Sequence, residues 1–484
     1  MQHVLISHTE PSRNQGKRYV LGYAVIAALG GLLFGFDTAV ISGAEQKLQQ
    51  LFRPYEGITE NAQAIWHGFL VSSALIGTII GAIAVGKPTD IYGRRSVMFW
   101  LAVLYFVSAV GSALAWDWYS FVIFRFIGGL GVGGASVVSP MYIAEISPAK
   151  IRGRLVALAQ FNIVLGILLA FLSNFIIGSL GLGTLEWRWM FGVEAFPAAA
   201  FFLLLFLTPR SPRWLLAKGR EDEARTVLRR VGTDAVGESV EAEIAEIKQS
   251  LDIERHSLRE PFFQAKYLKP ILLAVAIAAF NQLSGINAIL YYSKRIFESA
   301  GFGGSASLLN SVGLGMVNLI FTMAALAVID HFGRKKLMIF GSIGYILSLG
   351  VTAVTFYTQS QMVENESGQM VRQITSSGGM IVFVSLLVFI AAHAFGQGAV
   401  IWVFISEIFP NRVRARGQAL GSFTHWVFAA VISQSFPMIA EVSGGHIFAF
   451  YGLCMVGQLL WVIFLMPETK GVPLEQIQKK LGIA

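Results

Sequence analysis

Asp37 and Arg125 lie inside long apolar stretches of the chain, where charge is costly. Asp37 belongs to the glycine-rich stretch Gly30–Gly43 (GGLLFGFDTAVISG), and Arg125 to a later apolar stretch that begins near Phe121. About 20 apolar residues make a helix that crosses a bilayer. A charge at its centre costs at least ~2.5 kcal/mol unless it meets a partner or a watery cavity. We therefore expect the two charges to face each other along a pathway through a membrane.

The chemistry that suits this pair is reversible proton binding. A neighbouring arginine favours the ionised form of a carboxylate, whereas removal from water favours the protonated form. Alternation of Asp37 between such surroundings would load and release a proton. The alternative is a static ion pair that orders the helices, although buried pairs are weak evidence for stability. Glu194 is a second carboxylate at the start of an apolar stretch, and it either tunes this pair or is a satisfied interfacial group.

A second group of residues places neutral hydrogen-bonding side chains in apolar stretches. Carboxamides both donate and accept without carrying charge, and a few placed polar groups between apolar and aromatic walls are typical of a small-molecule pocket. A single buried amide is usually a helix–helix hydrogen bond, but several amides together with tryptophans predict a pocket for a polyol. The candidates are Gln160, Asn281, Gln282, Asn287, Asn318, Trp402 and Trp426.

The composition places the chain among membrane proteins. Of its 484 residues, 55% are hydrophobic and 14% are charged, against about 25% charged residues in soluble domains. The net charge is +8, and the basic residues occur in short clusters between alternate apolar stretches. This is the pattern of cytoplasmic loops in membrane proteins and not the single basic face of a nucleic-acid-binding protein. No nucleic acid partner is therefore expected.

The apolar stretches predict an all-α polytopic membrane protein with twelve transmembrane helices in two six-helix halves and a cytoplasmic helical linker. Both termini are expected in the cytoplasm of a bacterial cell, with the protein in the plasma membrane, and the polar segment 358–379 is expected to be an external loop. No metal-ligand cluster, phosphate loop or nucleophile motif is evident, so we expect no cofactor, no metal and no enzyme activity. The predicted divisions are a tail at 1–18, a bundle at 19–210, the linker at 211–260, a bundle at 261–467 and a tail at 468–484.

The two halves repeat the same charged motifs. Asp90-Ile-Tyr-Gly-Arg94-Arg95 recurs as Asp330-His-Phe-Gly-Arg334-Lys335, and Glu145 with Arg152 recurs as Glu407 with Arg414. Repeated halves are typical of transporters that hold their ligand between the halves near mid-membrane. We expect Asp90 to pair with Arg94 and Arg95, and Glu145 with Arg152, in a charge network that latches the outward-open state and breaks when the halves rock. The alternative is solvated loop charges, because exposed pairs contribute only ~0–1 kcal/mol.

Together these motifs resemble the sugar porter family of the major facilitator superfamily, with bacterial sugar–proton symporters the nearest in type. The likeness runs from about Gly22 to Gly471. Bacterial proton-coupled members have Asp and Arg at the positions of Asp37 and Arg125, whereas the facilitative animal glucose carriers lack that carboxylate. The other matching segments are Arg125-Phe-Ile-Gly-Gly-Leu-Gly-Val-Gly, Pro209-Arg-Ser-Pro-Arg213, Gln282-Leu-Ser-Gly-Ile-Asn287 and Pro467-Glu-Thr-Lys-Gly471. The resemblance implies a sugar site made of Phe34, Gln160, Gln282, Asn287, Tyr291, Asn318, Gly398, Trp402 and Trp426.

The chain departs from the family pattern within the expected sugar site. Asn281 stands where the family usually has a second glutamine. His425 occupies a position usually filled by Gln or Asn, and it is either a sugar contact, a titrating group or a packed neutral side chain. The tenth span lacks the usual prolines near Gly398, which predicts a stiffer hinge.

The leading hypothesis is import of a monosaccharide, either a hexose or a pentose, together with a proton by alternating access. The first alternative is a facilitative sugar uniporter in which Asp37 has a structural role. The second, with less support, is a membrane sugar sensor. The expected partners are the sugar, the proton and the lipid bilayer, and we expect the protein to act as a monomer.

Overall fold

Twelve helical spans, each long and apolar enough to cross a membrane, dominate the computed structural model. The structure describes residues 13–55, 57–231, 239–257, 260–364, 370–410, 412–442, 444–472 and 474–483. Six spans precede a helical linker and six follow it. The predicted fold class, an all-α polytopic membrane protein with two six-helix halves, is confirmed.

The first half supplies the carboxylates and the arginine of the expected proton site. Its spans are α1, α2, α4, α5, α6 and the pair α7–α8. The sixth span is interrupted between Gly192 and Ala195, which places Glu194 at a helix break. The helices are α1 (Arg13–Leu51), α2 (Glu60–Ala84), α3 (Gly86–Tyr92), α4 (Arg94–Leu114), α5 (Trp118–Ile146), α6 (Ala149–Ser179), α7 (Glu186–Gly192) and α8 (Ala195–Leu204).

The linker consists of α9 (Pro212–Ala217), α10 (Glu221–Arg230) and α11 (Val240–Ser257). Its apolar residues, among them Trp214, Leu228 and Ile244, pack into a small core of their own. The polar faces carry exposed ion pairs, for example between Lys248 and Glu221 at 2.6 Å. This is the arrangement expected of amphipathic helices that lie beside a membrane rather than in it.

The second half contains the expected amide pocket. Its spans are α12–α13, α15, α16, α17–α18, α19 and α20. The helices are α12 (Leu268–Leu283), α13 (Ile286–Tyr291), α14 (Ser293–Ser299), α15 (Gly304–Phe332), α16 (Arg334–Thr358), α17 (Ser376–Phe395), α18 (Gln397–Ile408), α19 (Arg414–Val442), α20 (Gly444–Phe464) and α21 (Leu474–Leu481).

The segment between α16 and α17 contains a strand pair that the sequence analysis did not predict. Its described ends form an antiparallel hairpin of β1 (Ser360–Glu364) and β2 (Met370–Ile374), with Ser360 opposite Ile374. Residues 365–369 lie outside the described part of the chain. The position of this segment outside the membrane stays a prediction.

Glycines break the seventh and tenth spans beside the amides. Gly285 separates α12 from α13 with a left-handed backbone at φ +85°, which favours glycine. Gly396 separates α17 from α18, and a Cβ added there would lie 2.9 Å from the Cα of Gly341. The tenth span is thus interrupted two residues before Gly398, and the stiffness of this hinge stays a prediction. Such interrupted spans are common beside the ligands of membrane transporters.

Close helix contacts in the first half also depend on glycine. A Cβ added to Gly35 of α1 would lie 1.9 Å from the carbonyl oxygen of Ile163 on α6. An added Cβ at Gly129 of α5 would lie equally close, at 1.9 Å, to the carbonyl oxygen of Ala74 on α2. Small residues permit this backbone approach, which is a main source of helix association in lipid.

The halves meet mainly through α2 against α19 and α6 against α15. We call the membrane face that carries α9–α11 the linker side, and the opposite face, which carries β1 and β2, the hairpin side. Near the hairpin side Gln434 of α19 donates to the carbonyl of Ile65 at 2.8 Å, and Ser72 of α2 donates to the side chain of Gln434 at 2.8 Å. The halves are therefore held together at the hairpin side.

Candidate functional site

The structure brings Asp37 of α1 and Arg125 of α5 into direct contact. The guanidinium Nη1 donates to Asp37 Oδ1, and Nη2 lies 3.3 Å from the backbone carbonyl of Asp37. Each residue is only 3% exposed. Gly128 lies beside the pair, and a Cβ added there would be in ordinary van der Waals contact with Asp37 Oδ1, at 3.5 Å. The pair is thus sealed within the first half.

Glu194 completes a buried cluster of one cation and two carboxyl groups. It is 1% exposed, its Oε1 has no hydrogen-bond partner among the described residues, and it interacts electrostatically with both Asp37 and Arg125. Within the same described part of the chain, the buried hydroxyl of Tyr105 also lacks a hydrogen-bond partner, and it interacts electrostatically with Asp37. Arg125 lies over the ring of Phe191 at 5.4 Å. With both carboxyl groups ionised, the cluster would carry one negative charge without a partner, which is costly when buried. One proton shared by the two carboxyl groups makes the cluster neutral.

The amides of the seventh span form a continuous hydrogen-bonded group. Gln282 Nε2 donates to Asn281 Oδ1 at 3.0 Å, and Asn287 Nδ2 donates to Gln282 Oε1 at 2.9 Å. Gln282 Nε2 is also 3.1 Å from His425 Nε2 on α19. The left-handed turn at Gly285 brings Asn287 back towards Gln282, which explains why two amides on different helices can meet.

Aromatic rings surround this amide group. His425 lies between two tryptophans, with ring centroids 5.3 Å from Trp402 of α18 and 4.8 Å from Trp426 of its own helix. Phe34 of α1 meets Trp426 edge-on at 5.6 Å, so the pocket wall includes both halves. Trp402 is 36% exposed although it lies within a span. The arrangement offers a ring platform and amide donors and acceptors to one ligand.

The remaining predicted sugar residues lie on neighbouring elements. Tyr291, at the end of α13, is 5% exposed and interacts electrostatically with Asp37. Asn318 of α15 is buried and accepts from Thr322 at 3.4 Å. Gln160 of α6 is half-buried, and Gly398 of α18 lies against His393. No hydrogen bond or ring contact among the described residues joins Gln160, Asn318 or Gly398 to the cluster around Gln282.

The repeated charged motifs form matching ion pairs in the two halves. Arg94 contacts Asp90 at 3.5 Å and Glu145 at 2.9 Å. In the second half Arg334 contacts Asp330 at 3.1 Å and Glu407 at 2.8 Å. Gly93 and Gly333, which precede the arginines, share a backbone with φ +88°. The two glutamates also accept a hydrogen bond from a hydroxyl group in the segment that closes their own half. Ser211 donates to Glu145, and Thr469 donates to Glu407 at 2.6 Å.

Two of the predicted pairings are wrong in their partners. Arg152 contacts Glu243 of α11 at 3.4 Å and not Glu145, because Arg94 from the preceding helix occupies that carboxylate. Arg95 does not pair with Asp90 but donates to the carbonyls of Leu205 and Phe206 at 3.3 and 3.2 Å. Arg414, the counterpart of Arg152, is half-buried, and among the described residues its Nε has no hydrogen-bond partner.

The linker end is tied to the second half by a separate ionic contact. Lys266 Nζ and the Tyr267 hydroxyl donate to Glu260 Oε1 at 2.6 and 2.5 Å. These hydrogen bonds lower the pKa of the Glu260 carboxyl below its ordinary value. Arg416 of α19 donates to the backbone carbonyl of Glu260 at 2.5 Å. The linker is therefore anchored where α19 begins.

Sequence reasoning missed a chain of buried amides behind the pocket. Asn281 donates to Gln397 at 3.2 Å, Gln397 donates to Gln458 at 2.5 Å, and Gln458 donates to Ser342 at 2.8 Å. Gln397 and Gln458 are fully buried. This chain orients Asn281 towards Gln282. The signal was present in the sequence, since both glutamines lie in apolar spans, but nothing local placed them beside Asn281.

Sequence reasoning also missed a charged cluster between the halves. Arg295 of α14 contacts Glu45 of α1 through two hydrogen bonds, of 2.9 and 2.7 Å, and His67 of α2 contacts the same carboxylate at 2.9 Å. Glu45 is fully buried. The helix α1 continues to Leu51, so Glu45 lies on the first membrane-span helix and not in a loop.

Comparison with known proteins supplies the family. Residues 23–481 match the family model described as "Sugar (and other) transporter". The chain belongs to this sugar transporter family. It is 37% identical over 489 residues to the D-xylose-proton symporter of Escherichia coli (strain K12), with 95% of each chain covered. It is 35% identical to the arabinose-proton symporter of Bacillus subtilis (strain 168), covering 97% of this chain and 96% of the relative.

Solved structures of a relative match this transporter over nearly its whole length. The inward-open conformation of the xylose transporter XylE from E. coli superimposes with a TM-score of 0.82 at 36% identity, covering 95% of this chain and 99% of XylE. A partially occluded inward-open conformation of the same protein gives a TM-score of 0.81. The expectation that the chain is a membrane transporter and not an enzyme is confirmed.

Proposed function

We propose that this transporter imports a monosaccharide, either a hexose or a pentose, together with a proton by alternating access. The observation that carries the proposal is the buried cluster of Asp37, Arg125 and Glu194. Its two carboxyl groups and one guanidinium become neutral when they bind one proton. Asp37 also interacts with Tyr291, a residue of the proposed sugar site. The names of the relatives, which describe proton symport of D-xylose and of arabinose, support the same conclusion.

The linker side is proposed to face the cytoplasm of a bacterial cell, with both termini on that side. The basic residues at Arg94–Arg95, Lys150–Arg154 and Arg334–Lys336 all lie there, as the positive-inside rule predicts. Contact between the halves at the hairpin side and similarity to inward-open XylE support an inward-facing state. We retain the bundle boundaries 19–210 and 261–467 as part of this proposal, and a monomer suffices because one chain supplies both walls of the pocket.

The sugar is bound by amides and stacked on aromatic rings. Gln282 and Asn287 supply donors and acceptors for hydroxyl groups, and Trp402 and Trp426 supply the ring platform. His425, which lies between the tryptophans and contacts Gln282, is a direct neighbour of the ligand rather than a remote packing residue. Phe34, Gln160, Asn281, Tyr291, Asn318 and Gly398 complete the proposed site.

Proton coupling arises because Arg125 and the proton compete for the carboxylate of Asp37. When Asp37 is ionised, Arg125 holds it and α1 is tied to α5. When Asp37 is protonated, Arg125 is released to Glu194, and the contact between α1 and α5 weakens. Since α1 also carries Phe34 of the sugar pocket, protonation and sugar binding act on the same helix. A helix that both ligands bias is the physical requirement for coupling.

The repeated ion pairs are proposed to act as a conformational latch. Arg94 with Glu145 and Arg334 with Glu407 each join helices of one half, and Ser211 and Thr469 connect these pairs to the segments that leave the last span of each half. Both pairs are formed in the proposed inward-facing state, so they are not confined to the outward-open state as the sequence predicted. Asp90, Arg95, Asp330, Arg152 and Arg414 flank the pairs as supporting charges.

The decisive experiment is sugar-induced alkalinisation in a suspension of de-energised proteoliposomes, with D-xylose, L-arabinose and D-glucose as probes. The wild type is expected to give a proton signal, whereas Asp37→Asn gives none but retains sugar counterflow, because sugar binding does not require the charge. Glu298→Gln, a carboxylate outside the buried cluster, is the matched control and is expected to behave as wild type. Sugar movement in the wild type without any proton signal would show a uniporter.

A further inference from the structure

A charged cluster distinct from the proton site joins the two halves near the hairpin side. Its members are Glu45, His67 and Arg295, and we call it the outer cluster. Arg295 Nε and Nη2 donate to the two oxygens of Glu45 at 2.9 and 2.7 Å, a bidentate geometry with high directional specificity. Arg295 also donates to the side chain of Gln49, one turn further along α1. His67 contacts Glu45 at 2.9 Å from α2.

The outer cluster lies between the proposed sugar site and the hairpin side. Glu45 follows Asp37 by eight residues of continuous helix, about 12 Å towards that side. Arg295 follows Tyr291 by four residues, after α13 has ended and α14 has begun. Tyr292 lies beneath the cluster, stacked on Phe436 of α19 at 4.6 Å. A sugar that enters from the hairpin side must therefore pass where these residues now meet.

The energetics make the contact specific to one conformation. Glu45 is fully buried, and the side chain of Arg295 is 16% exposed. Removal of one partner from a buried pair leaves an uncompensated charge, which is strongly destabilising. In a state with the hairpin side open, water would solvate both groups, and loss of one would cost little. Removal of either charge of this pair thus destabilises the state that is closed at the hairpin side more than the state that is open there.

We propose that Glu45, His67 and Arg295 form the outer gate of the transport cycle, which closes the sugar path at the hairpin side. The pair of Glu45 and Arg295 closes the sugar path to the hairpin side while the pocket is open to the linker side, and His67 holds the carboxylate of Glu45 in the orientation that receives Arg295. The gate opens when α14 moves away from α1. The proposal rests on the transport function described above, but not on proton coupling or on the identity of the sugar.

The test measures access to the interface from the hairpin side. Ser72 is 1% exposed and lies where α2 meets Gln434, so a cysteine there reports separation of the halves. Ser72→Cys is introduced together with Cys454→Ser, which removes the single native cysteine. Labelling by a membrane-impermeant maleimide is followed in right-side-out vesicles, without sugar and at constant pH, so the result does not depend on symport.

Glu45→Gln and Arg295→Met are each expected to accelerate labelling about tenfold, within the usual range of couplings between two states. The exchange Glu45→Arg with Arg295→Glu is expected to slow it again, because it restores opposite charges. Lys294→Met is the matched control: Lys294 adjoins Arg295, and its one ion pair among the described residues is with Glu298 of its own helix, at 3.9 Å, so its removal should leave the rate within twofold. Unchanged labelling in Glu45→Gln, with normal elution in size-exclusion chromatography, would overturn the proposal even if Arg295→Met failed to fold.

Discussion

Gln282 is the residue on which the proposed sugar site depends most. Its amide contacts Asn281, Asn287 and His425 at once, so its orientation is determined before a ligand arrives. A preoriented amide loses little conformational freedom when it binds a hydroxyl group, which favours affinity. The chain of amides through Gln397 and Gln458 adds to this ordering from behind the pocket.

At the residue scale, Gln282→Ala is expected to weaken sugar binding about tenfold. Loss of one or two hydrogen bonds at ~0.5–1.5 kcal/mol each accounts for this factor. Isothermal titration of the purified protein with the best of the three sugar probes measures it. Asn162→Ala is the control, because Asn162 is buried and, within the described part of the chain, its side-chain hydrogen bond is to the carbonyl of Leu158 on its own helix, at 2.9 Å. Equal dissociation constants for the Gln282 variant and the wild type would remove Gln282 from the site.

At the element scale, the interrupted and closely packed helices determine which side chains meet. The break between α12 and α13 turns Asn287 towards Gln282, and the break between α17 and α18 brings Gly396 against Gly341 of α16. The absence of side chains at these two glycines permits this close approach. Unsatisfied backbone groups at such breaks are tolerable only inside protein or beside water, which places both breaks within the bundle.

Gly129→Ala tests the close packing of α5 on α2, which positions Arg125 one turn away. The added Cβ would lie 1.9 Å from the carbonyl oxygen of Ala74, so the helices must separate. Overpacking of this kind costs ~1–3 kcal/mol, and we expect a lower melting temperature in detergent. Gly22→Ala is the control, since no heavy atom lies within 4 Å of its added Cβ. Equal melting temperatures for the two variants would show that the α2–α5 contact is not tight.

At the scale of the whole molecule, transport requires the two halves to separate at the hairpin side and close at the linker side. The described contacts at the hairpin side include those of Gln434 of α19 with α2 and the outer cluster between α1, α2 and α14. Because the halves are packed, bistable bodies, a small local change at either contact is amplified into movement of a whole half.

A reversible cross-link between α2 and α19 is expected to stop this movement. Ser72 Oγ and Gln434 Oε1 are 2.8 Å apart, so cysteines at these two positions, with Cys454→Ser, are within reach of a short bifunctional thiosulfonate. Sugar uptake should fall to background after cross-linking and recover after reduction. The single-cysteine variants, treated in the same way, should retain uptake. Full cross-linking with normal uptake would contradict rocking of the halves about the sugar site.

The sequence by itself determined the features that local patterns encode. Apolar length predicted twelve spans, repeated motifs predicted two related halves, and the cost of charge in a membrane marked Asp37 and Arg125 as partners. These inferences succeed because hydropathy and charge cost are properties of single segments. The amides of the seventh span were likewise visible, since Gln282 and Asn287 are close together in the chain.

Only the tertiary structure decided which distant side chains meet. Glu45 and Arg295 are 250 residues apart, Gln397 is 116 residues from Asn281, and neither pairing has a local signal. The choice of Arg94 over Arg152 as the partner of Glu145 depends on how α4 and α5 pack. Such pairs follow from the spatial arrangement of whole helices, which many residues set jointly and no single segment contains.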